Sequence, residues 1–156
     1  MEATEAGRED SLQRYLHKQI PLSAAMQVSV LSITADSVSL TAPLEPNINH
    51  KCTAFGGSIV TLGILAAWSL LHLRLVEQGL RCEVVIQSNQ MDYDTPVPGP
   101  FIASSSLVDA SAWPAFVNTL ARRKMARIEA RSLLTFDDAP AGRFTGKFVA
   151  FLRDAG

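Results

Sequence analysis

At 156 residues, 47% hydrophobic and 19% charged, the chain fits one globular domain and lies far from the disordered regime. A net charge of −1 at pH 7 argues against any general affinity for nucleic acid or acidic membranes. The two cysteines, Cys52 and Cys82, match no zinc spacing and are a thin basis for a disulfide framework, so a cytoplasmic protein is expected. The opening "MEATEAGRED" is acidic and polar, unlike a signal or transit peptide, and residues 1–10 are expected as a flexible tail.

The segment "EDSLQRYLHKQI" places Leu12, Tyr15, Leu16 and Ile20 at helical spacing, and Pro21 follows as a stop. In "AMQVSVLSITADSVSLTAPL", Met26, Val28 and Val30 alternate before a turn at Ala35-Asp36, and Val38, Leu40 and Ala42 alternate after it. That pattern predicts a β-hairpin. The polar loop "EPNINHKCT" leads to Gly56-Gly57 and to a helix expected over about residues 55–77, ended by Gly79. Beyond it, "RCEVVIQSNQMDYDTPV" and "GPFIASSSLVD" read as strands and "SAWPAFVNTLARR" as a short connecting helix. "KMARIEARSLLTF" alternates Arg127, Glu129 and Arg131 against Ala126, Ile128 and Ala130, and "GRFTGKFVAFL" is the last strand.

From Phe55 to Leu71 no residue is charged, and that length approaches the transmembrane threshold. Ser58, Thr61, Gly63 and Ser69 dilute the run and no aromatic or basic anchor precedes it, so membrane insertion is not expected. A helix apolar all round equally suits the buried centre of a soluble fold. Strands segregated from one such helix predict α+β architecture. The expectation is a single domain over residues 1–156, with an antiparallel sheet of about five or six strands wrapped around the helix.

This pattern resembles the hotdog fold, and most nearly the YiiD C-terminal thioesterase family. The residues that carry the resemblance are "APLEPNINHKCTAFGGS" (Ala42 to Ser58), "GILAAW" (Gly63 to Trp68) and "IQSNQMDYDTPV" (Ile86 to Val97). The likeness covers nearly the whole chain from Leu12 onward. It implies a homodimer, with a tetramer as a further assembly, whose sheets join edge to edge around two composite active sites. It also implies an acyl thioester substrate on coenzyme A or acyl carrier protein. Coenzyme A or phosphopantetheine then belongs to the substrate, and no separate cofactor is needed.

Thioester hydrolysis needs a polarised carbonyl, and unpaired amides at a helix N-terminus supply one at the positive end of the helix dipole. Gly56 lets an acyl group approach, and the Gly57 and Ser58 amides are the candidate oxyanion hole. The alternative is that the glycines only turn the chain into the helix. Many hotdog thioesterases carry a histidine before the two glycines and an acid seven or eight residues after them. Here Phe55, Ile64 and Leu65 occupy those positions, so no base comes from this helix. Asn49 and Thr61 remain as polar candidates, with Asp92 as the nearest carboxylate, reaching across a dimer or simply solvated at a strand end. Asn47, Thr53, Phe55, Leu65 and Trp68 are the candidates for binding the thioester and its acyl group.

Arg122, Arg123 and Lys124 precede the strand whose entry lies near the coenzyme A phosphates in similar hotdog proteins, and they are candidates for a phosphate or an acidic carrier. His50 and Cys52 are too close in sequence to face one another as a nucleophile pair, and His17 and His72 read as structural. No metal site is expected. The leading reading is an acyl-CoA or acyl-ACP hydrolase. The other is a hotdog module that binds acyl thioesters or a carrier protein without hydrolysing them.

Overall fold

The computed structural model describes residues 3–154, with side chains from residue 7 onward. Of the expected tail, Met1 and Glu2 lie outside the described residues, and from Ala3 the chain is already helical in α1 (Ala3–Gln19). Pro21 does not simply stop that helix. It opens a second one, α2 (Pro21–Ala25), because proline fits the first helical position, where its missing N–H costs nothing.

The hairpin follows as β1 (Ser29–Ile33) and β2 (Val38–Ala42), and the long apolar run is α3 (Gly56–Glu77). After it come β3 (Cys82–Tyr93), β4 (Phe101–Leu107), α4 (Trp113–Arg123), β5 (Met125–Phe136) and β6 (Ala139–Leu152). The six strands form one antiparallel sheet in the order β1-β2-β4-β5-β6-β3. Asp137 and Asp138 both take positive φ in the two-residue turn between β5 and β6, the backbone that matches the twist of a tight hairpin. Lys124, at φ 66°, ends α4 in the left-handed conformation and turns the chain into β5.

The sheet curls over α3, whose Leu62, Ala66 and Leu70 are buried with Leu40, Phe101, Phe144 and Phe148 of the strands. Leu12 and Leu16 bring α1 into the same core. This enclosure explains why α3 has no polar face. The helix is long and apolar enough to cross a membrane, but over half of its most apolar window is buried within the protein itself. It packs tightly on the sheet at Gly63, where an added Cβ would lie 3.1 Å from Phe144. There the buried Ser132 hydroxyl donates to the Gly63 carbonyl at 2.7 Å.

β3 is one of the two end strands, paired with β6 on one side and, among the described residues, open on the other. A bulge at Gln87 breaks its alternation: Ile86 lies opposite the buried Phe148, whereas Ser88 lies opposite the exposed Lys147. One extra residue swaps the two faces of everything beyond it. Asn89, Met91 and Tyr93 therefore turn toward the α3 side, and Gln90 and Asp92 turn to the outside.

Candidate functional site

The loop ahead of α3 is tied by asparagine side chains. Asn47, 2% exposed, donates from Nδ2 to the carbonyls of Met26 at 3.0 Å and Pro43 at 2.8 Å. Its own carbonyl accepts from the Phe55 amide at 2.7 Å. Asn49 Oδ1 accepts from the amides of Lys51 and Thr53, and its Nδ2 donates to Thr53 Oγ1 at 2.9 Å. The Ala54 amide donates to the Val97 carbonyl at 2.8 Å. Asn47, Asn49 and Thr53 thus hold the loop closed and deliver Phe55 in an extended conformation to the helix start.

The Phe55 carbonyl accepts from the amides of both Ser58, at 2.9 Å, and Ile59, at 3.1 Å. The Ser58 amide, expected as an oxyanion donor, is therefore engaged. The amides of Gly56 and Gly57 make no hydrogen bond among the described residues, so the free donors lie one position earlier than the expected pair. Two half-exposed rings flank them. The Phe55 ring lies over Gly57 so closely that an added Cβ would sit 2.4 Å from its edge. Tyr93 packs against Gly56 and donates its hydroxyl to the Gly56 carbonyl at 2.9 Å. Partial burial raises the Tyr93 pKa, which keeps that proton in place at neutral pH.

Further along the helix, Thr61 Oγ1 donates to the Gly57 carbonyl at 2.7 Å, and Leu65 is buried. Trp68 donates its indole N–H to the Val84 carbonyl at 2.8 Å, one α-helical stretch of about 18 Å from Gly56. Asp92 does not join this group. The bulge turns it outward beside Arg143, at 4.0 Å, and Gln90, at 3.2 Å.

Arg122, Arg123 and Lys124 are all exposed, with Lys124 3.7 Å from Asp154. They lie beside the start of β3, because the Leu152 amide bonds to the Lys124 carbonyl and the Arg153 amide to the Arg81 carbonyl. The amides lie beside Tyr93 at the other end of that strand, about 36 Å away along its length. Among the described residues no three His, Cys, Asp or Glu side chains gather as a metal site, and both cysteines are free. Tyr93 is the site residue that the sequence reading missed. Its place follows only from the bulge.

A six-stranded antiparallel sheet wrapped around one helix, with free amides at the helix start, is the hotdog architecture found among thioesterases. Residues 9–152 match the family described as "Putative thioesterase (yiiD_Cterm)", and the chain belongs to that family. It is similar in structure to a protein of unknown function from Chlorobaculum tepidum TLS, with 29% identity and a TM-score of 0.87, over 93% of this chain and 94% of that one. A "putative thioesterase" from Shewanella oneidensis is also 29% identical, with a TM-score of 0.82 over 92% of this chain and 96% of that one. A thioesterase from Haemophilus influenzae, at 12% identity and a TM-score of 0.74 over 92% and 90%, shares the fold.

Proposed function

We propose that the protein is a homodimeric hydrolase of acyl thioesters carried by coenzyme A or acyl carrier protein. The observation that supports this most is the pair of unengaged Gly56 and Gly57 amides at the positive end of a 22-residue helix, in a member of a thioesterase family. As water adds to the thioester carbon, negative charge gathers on the carbonyl oxygen, and those amides stabilise it. The C–S bond then breaks, the thiol leaves with a proton from the water, and the acid is released. Each such donor lowers the barrier by about 3 kcal/mol.

The second reading, a module that binds thioesters without hydrolysis, is favoured by one observation. The nearest candidate carboxylate, Asp92, faces the outside of the sheet and is shared with Arg143. Steady-state hydrolysis of acyl-CoAs from acetyl to palmitoyl separates the two. Gly56→Pro is the informative variant, since it deletes one N–H at a position that accepts proline after an already extended Phe55. We expect turnover by the wild type, a fall in kcat of about 100-fold in Gly56→Pro, and no change in Asp92→Asn. Acyl-CoA binding with no turnover establishes the second reading instead, and full activity in Gly56→Pro removes the amides from the mechanism.

A further inference from the structure

Two side-chain hydrogen bonds tie α3 to β3 at widely separated points. Tyr93 reaches the Gly56 carbonyl beside the free amides, and the Trp68 indole N–H reaches the Val84 carbonyl at 2.8 Å. Between these ties runs one face of the helix, made of Gly57, Thr61, Ile64 and Trp68, at spacings of four, three and four. All four residues are half-buried on a helix that is otherwise largely sunk in the core. Met91, on the helix side of β3 beyond the bulge, is half-buried as well.

This face grows in bulk along its length. Gly57 has no side chain, Thr61 turns its hydroxyl back to the Gly57 carbonyl at 2.7 Å, Ile64 is larger, and Trp68 is larger still. An apolar chain laid along it from the amides has room at first and then meets the indole. That indole is fixed. Its edge is bonded to β3, its face stacks on His72 at 4.8 Å and 10° from parallel, and His72 stacks in turn on Tyr15 of α1 at 4.9 Å. Swinging the ring aside would break the hydrogen bond and the stacking together.

Helix geometry sets the length of the free stretch. From Gly57 to Trp68 the helix rises about 16 Å, and the indole covers about the last turn of it, because helical side chains lean toward the N-terminus. About 11 Å remain. Tetrahedral carbon–carbon bonds of about 1.5 Å advance roughly 1.3 Å per carbon, so about eight carbons fit.

We propose that Trp68 is the chain-length stop of the thioester site and selects medium-chain acyl groups of about eight carbons. The inference rests on the reading of the Gly56 and Gly57 amides as the place of the thioester carbonyl. Its test is binding, measured by calorimetry with 2-oxoalkyl thioethers of coenzyme A, which keep the carbonyl but cannot be hydrolysed. The alkyl chain runs from four to sixteen carbons. In the wild type, affinity should climb about threefold per methylene and level off near eight to ten carbons. Ile64→Phe brings the obstacle one turn closer and should end the climb about four carbons earlier, whereas Trp68→Ala should extend it by about four. A climb that continues to sixteen carbons in the wild type overturns the proposal, as does one that ends at the same length in all three proteins. If Trp68→Ala does not fold, Ile64→Phe decides alone. A wild type that shows this profile yet turns over no acyl-CoA refutes hydrolysis and leaves the stop standing; turnover with a profile that ignores both substitutions does the reverse.

Discussion

Tyr93 joins the last residue of β3 to the first carbonyl of α3, and its ring screens one side of the free amides. Tyr93→Phe keeps the ring and removes only the hydroxyl, so its cost is one partly exposed hydrogen bond, about 0.5–1 kcal/mol. Urea denaturation should show that small loss of stability. Hydrolysis should fall severalfold, because the first turn is no longer anchored where the thioester carbonyl is proposed to sit. Unchanged kcat in a folded Tyr93→Phe protein would show that the anchor has no part in the reaction. Phe55-Gly56-Gly57 could be read directly from the sequence as a helix start with room for a ligand. Tyr93 could not, since simple alternation from Val84 and Ile86 puts Asp92 on the helix side and Tyr93 outside. The bulge at Gln87 reverses both, and nothing in "VIQSNQ" announces it. The loop asparagines stood out as polar candidates, but their hydrogen-bond partners are backbone groups and Thr53, which only the closed loop reveals.

Within α3, two small residues sit in opposite situations, which makes the helix a test of packing against polarity. Gly63 meets Cβ and Cγ of Phe144, and Cβ is set by the β6 backbone, so rotating the ring does not relieve the crowding from an added methyl. Overpacking there costs about 1–3 kcal/mol, which outweighs the roughly 1 kcal/mol that alanine gains over glycine in helix propensity. Ser69 is fully buried and its hydroxyl has no partner among the described residues, so it bears a desolvation penalty without a bond in return. Gly63→Ala should therefore lower stability by about 1 kcal/mol and Ser69→Ala should raise it by about 1 kcal/mol. The reading is the urea midpoint at constant m. A stabilised Gly63→Ala protein would mean that β6 yields to the helix. At this scale the sequence was most informative. An uncharged run can only be enclosed or in lipid, and the strict alternation of β5 fixes its faces because one face is buried and the other is wet. The ends of α1 and α2 were less visible, since proline suits a helix start as well as a helix stop.

At the scale of the molecule, the sheet ends on the long strand β3. That strand is twelve residues long with an unpaired edge, and beyond the bulge even its helix-side residues stay open, Asn89 and Tyr93 being exposed. An open edge of this length invites another strand. A twofold pairing of two such edges is antiparallel, and it sets the amide end of one copy beside the basic end of its partner. In the proposed homodimer the roughly 36 Å that separate Tyr93 from the basic end within a chain would be bridged in this way, between chains. Composition and alternation carry no trace of this, because no residue type marks an edge strand as waiting for its own copy; in the sequence it enters only through what the family resemblance implies. Two variants expose the arrangement together: Gly56→Pro, which impairs the amides, and a triple change of Arg122, Arg123 and Lys124 to Gln, which removes the basic cluster. Each alone should be nearly inactive toward acyl-CoA. Unfolded and refolded as an equal mixture, half of the dimers combine the two, and each of these contains one site with intact amides from one copy and intact cations from the other. Activity should return to about a quarter of the wild-type value. If both functions instead come from a single chain, no mixed dimer holds an intact site and the mixture stays as inactive as its parts. Sedimentation equilibrium of the wild type should give the mass of two chains, and a single-chain mass would exclude shared sites altogether.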